Sequence, residues 1–202
     1  MEQLRTNVER LDLLTYEELL MKTEYAARTC YQSEMAGTME GAERFIESLI
    51  KKGHESVIEH INLSYKIQTD RATANQIVRH RLASYSQLST RYVDHSNLKI
   101  VLPSGIDKEM ERIILDQVEK IEETYRACKD KGIHKDDLRL ILPLCTATKL
   151  VMTANMREWR HFLKMRLGKH AHRSIRDVAF LIYKDIYEHY PVFVKDIPVS
   201  GE

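Results

Sequence analysis

The sequence predicts a helix-rich mixed α/β (α+β) fold, and three observations carry that reading. Glycine (7) and proline (4) make up about 5% of the 202 residues, against roughly 12% in average usage, so turn formers are too scarce for a many-stranded β fold. Apolar residues reach 43% and charged residues 30%, the balance of a globular chain long enough to bury a sizeable core. One segment nevertheless alternates with a period of two. Between His60 and Gln68, residues Ile61, Leu63, Tyr65 and Ile67 share one parity, the pattern of a half-buried strand.

Each element has its own local reason. Tyr16 to Cys30 reads as a helix, with Leu19, Leu20 and Tyr25 to Ala27 as a rough apolar stripe. Gly41 to Lys52 carries Phe45, Leu49 and Ile50 at helical spacing, and Gly53 stands where a helix stop is expected. After the His60–Gln68 strand, Asp70 is an N-cap for a helix through about Ala83. Leu98 to Leu102, ended by Pro103, is a second strand candidate. Lys108 to Lys131 is a long charged helix stopped by Gly132. Asp136 to about Asn155 reads as a mostly apolar helix that Pro143 restarts or kinks. Asn155 and Glu158 have the spacing of a capping box for a helix ending near Gly168. A last helix spans Ser174 to Tyr190, and Pro191 to Glu202 reads as a poorly ordered tail.

Charge and cysteine usage narrow the function. Lys+Arg (31) and Asp+Glu (30) leave a net charge of +1, so no whole-chain field draws nucleic acid or an anionic membrane. A local basic pocket for a small anion stays open. The first residues carry acids and lack an apolar stretch, so no signal peptide is expected. No apolar run approaches the ~20 residues of a membrane span. Cys30, Cys128 and Cys145 are odd in number with no CxxC, which fits free thiols in a reducing cytoplasm and excludes a zinc ribbon.

The densest chemistry lies in Arg79-His80-Arg81-Leu82-Ala83-Ser84-Tyr85-Ser86-Gln87-Leu88-Ser89-Thr90-Arg91-Tyr92. It begins on the Asp70 helix and runs into a polar stretch with no regular amphipathic pattern. At ~100° per residue, Gln76, Arg79 and His80 share one helix face. Ile77, Val78 and Leu82 share the other, with Arg81 among them. An Arg on an apolar face needs a carboxylate, because an unpaired buried charge is costly; Glu55 and Glu59 are the candidates. Arg79, Ser89 and Arg91 supply guanidinium forks and a hydroxyl, donors suited to phosphate. An isolated Arg-His-Arg is most simply a solvated helix end; the spaced Ser and Arg behind it weigh for a site.

Arg79-His80-Arg81, a gap of seven residues and then Ser89 form the signature RHRx7S, and the chain resembles the flavin-dependent thymidylate synthases. Other blocks occur in the same order. Gly53-His54-Glu55-Ser56-Val57-Ile58-Glu59-His60 resembles the family's GHE(T/S)xxEH segment, and Gln76 stands three residues before the signature. Arg139 to Leu144 is similar to its RxxLP segment. Asn155, Arg157, His161 and Arg166 resemble its NxRxxxxFxxxR region, followed by His170-Ala171. The resemblance covers about residues 40 to 180; Ser86 stands where the family usually has Asn.

The resemblance implies a small twisted antiparallel sheet wrapped by helices, in one domain. It implies a homotetramer that binds FAD, dUMP, methylenetetrahydrofolate and NADPH and makes dTMP by reductive methylation, without a catalytic cysteine. Gln76, Arg79, Gln87, Leu88, Ser89, Thr90, Arg91, Arg139 and Arg166 would then hold dUMP, with Arg166 the catalytic group beside the uracil. Ser56, Arg79, His80, Arg81, Leu82, Gln87, Asn155, Arg157 and His161 would hold FAD, and His54 would lie on the folate and nicotinamide side. A guanidinium stays charged and can stabilise an anionic ring in a dry site. No GxG occurs among the seven glycines, so a flavin pyrophosphate would rest on Arg, His and backbone donors instead of a Rossmann turn. Arg157 and His161 share a helix face, and Arg166 sits ~180° from Arg157. Ligand groups on both sides of one helix point to a helix placed between protomers.

Plainer readings hold elsewhere. His54 and Glu55 would need His at position 58 for a zincin motif, which is Ile58, and His170 and His172 do not share a helix face; no metal is expected. Cys145 lies in an apolar run with nothing near to lower its pKa, so burial explains it better than a thiol nucleophile. Trp159, Phe162 and Leu163 read as packing surface, and the charges of Lys108 to Lys131 as a solvated face. Two other classes compete: a non-catalytic nucleotide- or phosphate-binding regulatory protein, and a flavin-free hydrolase using Cys145. The presence of Arg166 and His54 beside the RHRx7S block weighs against the first.

Overall fold

The computed structural model describes residues 1–30 and 32–199. Its elements run β1 (Glu2–Leu4), β2 (Asn7–Arg10), α1 (Tyr16–Thr29), α2 (Met39–Lys51), a 3-10 turn (Glu55–His60), β3 (Asn62–Asp70), α3 (Arg71–Ile77), β4 (Ala83–Gln87) and β5 (Lys99–Val101). They continue with α4 (Lys108–Asp130), α5 (Lys135–Leu138), a 3-10 turn (Arg139–Ile141), β6 (Ala147–Asn155), α6 (Met156–Arg166), α7 (Arg173–His189) and a final 3-10 turn (Pro191–Phe193). The main sheet is antiparallel in the order β2-β3-β6-β4. β1 and β5 form a separate parallel pair, tied to the main sheet by a bridge between Ile100 and Thr146. The expected small antiparallel sheet wrapped by helices is therefore present.

β3 and β6 pair along their whole length, from Asn62 opposite Asn155 to Asp70 opposite Ala147. Because side chains alternate across a strand, Leu63, Tyr65 and Ile67 of β3 and Leu150, Met152 and Ala154 of β6 enter one core. Trp159, Phe162 and Leu163 of α6 and Ile175, Val178, Ile182 and Ile186 of α7 close over it. Each fully buried large aliphatic or Phe side chain is worth about 1.5–3 kcal/mol. The Trp159 indole N–H donates to the Leu63 carbonyl at 3.0 Å, which fixes the start of α6 against β3. A smaller cluster of Leu98, Ile100 and Val118 holds α4 on β5, with Cys145 packed against it.

Local chemistry sets the boundaries. Thr15 and Glu18 make a capping box at α1, and the Asp70 carboxylate accepts from the Thr73 N–H at 2.7 Å to open α3. Gly53, at φ +79°, ends α2 in the left-handed conformation that glycine adopts without strain. The His54 N–H then donates to the Leu49 carbonyl and the Gly53 N–H to Ile50, the Schellman pattern.

Five expectations are corrected. Asp136 to Asn155 is not a helix: Pro143 ends the helical turns, and Ala147–Asn155 becomes a central strand of the sheet. Its buried Thr148, Leu150, Met152 and Ala154 alternate, a period-two signal that the apolar run had hidden. The Asp70 helix stops at Ile77, not near Ala83, and Ala83–Gln87 is an edge strand. Beyond Ile77 the helical wheel therefore no longer applies. His80 is buried at 5% exposure while Leu82 is 76% exposed, the reverse of the expected faces. Arg81 is exposed and has no carboxylate partner among the described residues. Glu55 and Glu59 are taken instead by Arg160 with Lys164, and by Arg157.

The tail from Pro191 is also packed. Val192, Phe193, Val194 and Ile197 are buried, and Asp196 reaches the buried Arg160; residues 200–202 lie outside the described residues. Arg160 is 1% exposed and grips Asp196 through two bonds of 2.6 and 2.7 Å and Glu55 at 3.1 Å. Replacing the buried guanidinium empties its site and leaves Asp196 and Glu55 without their shared partner, although both carboxylates keep some access to water. Arg160→Ala should therefore lower the thermal unfolding midpoint by several degrees. An unchanged midpoint in calorimetry would show that this anchor carries no stability.

Candidate active site

The signature residues sit where α3 gives way to β4. Just past the end of α3 the His80 N–H donates to the Ile77 carbonyl at 3.1 Å, and the Tyr85 hydroxyl shares its one proton between the His80 carbonyl at 2.7 Å and the Ile77 carbonyl at 3.0 Å. Burial, reinforced by the Glu158 charge, pushes the Tyr85 phenol up to about 12, so it remains a donor at neutral pH. This clasp turns the chain so that the His80 ring points inward, while Arg79 and Arg81 point out with no ion-pair partner among the described residues.

The His80 ring meets the edge of Phe162 at 4.9 Å between centroids. Its Nδ1 lies 3.1 Å from Glu158 Oε1, and its Nε2 accepts from Arg166 Nε at 3.1 Å. Arg166 also donates to the Gln76 carbonyl at 3.4 Å. His161 approaches from the same side, 5.7 Å from His80 between ring centroids. Burial holds the His80 pKa below the ordinary imidazole range; the Glu158 hydrogen bond opposes that shift and the Arg166 charge reinforces it. Glu158 was expected to complete a capping box. Asn155 does accept from the Glu158 N–H at 2.9 Å, but the carboxylate turns to His80 instead of back to the cap.

Beside this cluster lies a cleft of about 530 Å³ lined by Glu55, Glu59, Leu82, Asn155, Arg157, Glu158, His161 and Lys164. Arg157 pairs with Glu59 across it at 2.5 Å. A larger cavity of about 660 Å³, between β1, the segment after β5 and α7, contains no signature residue. His54 and Ser56 are exposed on the segment joining α2 to β3. The α6 helix buries its Trp159 and Phe162 side in its own chain. Its ligand-type groups thus flank a single outward face, with Arg157 toward Glu59 and Arg166 toward Gln76, and do not lie on two free sides as the wheel suggested.

The remaining candidates gather elsewhere. The Ser89 hydroxyl accepts from the Arg91 N–H at 3.2 Å. Arg91 makes a two-pronged contact with Asp136 at 2.7 and 3.1 Å, and Arg139 Nε donates to the Asp136 carbonyl at 3.1 Å. The Leu88 N–H donates to the Lys149 carbonyl at 2.8 Å, and Gln87 Nε2 to Thr148 Oγ1 at 3.4 Å; Thr90 is half-buried beside them. β4 separates this group from the first: Ala83 pairs with Ala154 near the start of α6, and Gln87 with Leu150. Five extended residues span about 16 Å. The structure therefore brings together Gln76, His80, Asn155, Arg157, His161 and Arg166 at one end of β4, and Ser89, Arg91 and Arg139 at the other. The sequence reading gives Glu158 a place in a capping box, Glu59 a pairing with Arg81 and Asp136 the start of a helix; their partners in the structure are His80, Arg157 and Arg91. Each is distant in sequence from its partner, and only the Glu158–His161 spacing of i,i+3 on one helix hinted at the first.

The fit to candidate ligands follows from these contacts. His80, Glu158 and His161 place ligand-type atoms within 4.8 Å of one another. A metal on His80 Nδ1, however, would move the ring proton to Nε2 and set it against the Arg166 N–H, two donors facing each other. The cleft suits an elongated polar ligand better, since Arg157, Lys164, His161 and the Asn155 amide line one wall. Cys145 is half-buried and burial pushes its thiol up, the opposite of an activated nucleophile.

Residues 12–192 match the family model described as thymidylate synthase complementing protein. The chain is 34% identical over 195 residues to a flavin-dependent thymidylate synthase of Pyrococcus furiosus, covering 88% of this chain and 78% of that protein. It is 32% identical over 197 residues to one from Mycobacterium avium, covering 88% and 79%. A crystal structure of a UMP/dUMP methylase from Streptomyces cacaoi, bound with 5-Br dUMP, superposes with a TM-score of 0.80 at 22% identity over 96% of this chain and 95% of that one; at that identity it bears on the fold alone. With a family model spanning nearly the whole chain and relatives above 30% identity, this chain belongs to the flavin-dependent thymidylate synthase family.

Proposed function

We propose that the chain converts dUMP to dTMP by reductive methylation, with methylenetetrahydrofolate as carbon donor and NADPH as reductant of a bound FAD. The observation that carries this reading is the convergence of Arg166 with His80 and the Gln76 carbonyl beside the cleft lined by Leu82, Asn155, Arg157 and His161. Ser56, Arg79, His80, Arg81, Leu82, Gln87, Asn155, Arg157 and His161 are the residues proposed to hold FAD, which supplies hydride chemistry when bound; of these Leu82, Asn155, Arg157 and His161 line the cleft. Arg79, Arg81 and Arg157 offer the cationic forks that a pyrophosphate needs without a glycine-rich turn. His54, exposed at the end of α2, is assigned to the folate and nicotinamide side.

Gln76, Arg79, Gln87, Leu88, Ser89, Thr90, Arg91, Arg139 and Arg166 are assigned to dUMP. Arg166 stabilises the negative charge that develops on the uracil imide, a role for a guanidinium aimed at charge arising in the reaction. The separation of about 16 Å along β4 supports a shared site. A single nucleotide reaches both Arg166 and the Ser89–Arg91 group most simply when a second copy supplies one of them, in keeping with a homotetramer.

Three outcomes test this reading. Protein supplied with FAD should show a bound-flavin visible spectrum and oxidise NADPH in a dUMP-dependent reaction that yields dTMP. Binding of dUMP with no turnover would instead identify a regulatory nucleotide-binding protein. Arg166→Ala should keep the flavin spectrum while lowering dTMP formation by about 100-fold or more, the scale of a lost electrostatic donor; turnover at the parent rate would remove Arg166 from the chemistry. Cys145→Ala should retain activity, and its complete loss would revive a thiol mechanism.

A further inference from the structure

We propose that Glu158 is a positioning residue that sets the proton arrangement of His80 and thereby holds Arg166 in its working orientation. This inference rests on the role given to Arg166 above. An ionised carboxylate can only accept a hydrogen bond and a guanidinium can only donate one. The imidazole between them is therefore neutral, with its proton on Nδ1 facing Glu158 at 3.1 Å and its lone pair on Nε2 facing Arg166 Nε at 3.1 Å. Either error of protonation breaks the chain of contacts. The other tautomer sets Nε2–H against the Arg166 N–H, and the imidazolium does the same while adding a second positive charge.

The surroundings enforce the arrangement. His80 and Glu158 are both 5% exposed, so water does not compensate for a misplaced proton. The ring is fixed by Phe162, and its backbone by the Tyr85 hydroxyl. The titratable groups that face the imidazole are Glu158, His161 and Arg166, all from α6, while the Tyr85 hydroxyl of β4 reaches the His80 backbone carbonyl. Of these only the Glu158 carboxylate favours the imidazolium, whereas burial, Arg166 and His161 oppose it. Glu158 is held in turn by its place on the first turn of α6, where its own N–H is capped by Asn155. Three residues from two chain segments thus form a carboxylate–imidazole–guanidinium relay ending at the proposed catalytic group.

Two variants separate the parts of this device. Glu158→Gln keeps a carbonyl acceptor for the Nδ1 proton and removes the charge. Above pH 7 its kcat should lie clearly above that of Glu158→Leu. The acidic limb of its kcat profile should move to lower pH, because the imidazolium has lost its one stabilising anion. Glu158→Leu removes the acceptor, and kcat should fall about 10- to 100-fold, the scale of a misplaced catalytic group, with the flavin spectrum retained. Nitrogen-15 spectra of histidine-labelled protein should show the Nδ1–H tautomer of His80 in the parent and in Glu158→Gln, and its loss in Glu158→Leu. An acidic limb that stays in place in Glu158→Gln, or a His80 in the parent protonated on Nε2, would overturn the proposal. The tautomer is read without turnover. Parent protein that showed the Nδ1–H form but made no dTMP would overturn the proposed function and uphold the Glu158–His80 contact.

Discussion

An imidazole buried between a carboxylate and a guanidinium is the constraint around which this molecule is arranged. His80 cannot occupy that place if α3 continues, since a further helical turn would carry it to the surface with Arg79. Helix termination at Ile77, the hydroxyl clasp from Tyr85 and the start of β4 are therefore parts of one requirement. On the other side, Glu158 and Arg166 come from the same helix, eight residues apart, and reach the ring from either end of it. The aromatic packing of α6 on the sheet, with Trp159 bonded to the Leu63 carbonyl, makes that reach reproducible.

The charge distribution obeys the same logic. Most acids around the cleft are already committed: Glu55 to Arg160 and Lys164, Glu59 to Arg157, Glu158 to His80. The exposed guanidinium groups of Arg79 and Arg81 are not neutralised in this way among the described residues. A chain with a net charge of +1 thus presents local positive charge beside the cleft, without the overall field that attracts polyanions indiscriminately. The second group at Asp136, at the far end of β4, has the same chemistry on a smaller scale. Its Arg91 is held in a two-pronged ion pair, an arrangement that an incoming phosphate could contest.

Legibility differed by element for physical reasons. α1, α2, α4 and α7 could be read from caps and apolar stripes, because those signals are local. β3 could be read because one of its faces is buried and the other is not. β6 looks helical in the sequence because it occupies an interior position in the sheet and carries apolar residues on both parities, with Leu150, Val151 and Met152 in succession. β4 was unreadable for the opposite reason: its Ser84, Tyr85 and Ser86 are an edge strand with little to bury. The tail looks loose in the sequence because nothing in its own residues announces Arg160, which lies 36 positions before Asp196.

By itself, the sequence determined the inventory: helices with their caps, the clearest strand, the absence of a glycine-rich nucleotide turn, and the ordered blocks that mark the family. Those features depend on neighbours along the chain or on residue identity at fixed spacing. The tertiary structure alone decided which way each functional side chain faces. It turned His80 inward and Arg81 outward, gave Glu158 to His80 rather than to the helix cap, and set the Arg166 and Ser89–Arg91 groups at opposite ends of one strand. Those outcomes depend on which buried polar groups can be satisfied at once in a packed interior, a condition that couples residues scores of positions apart and leaves no periodic trace in the chain.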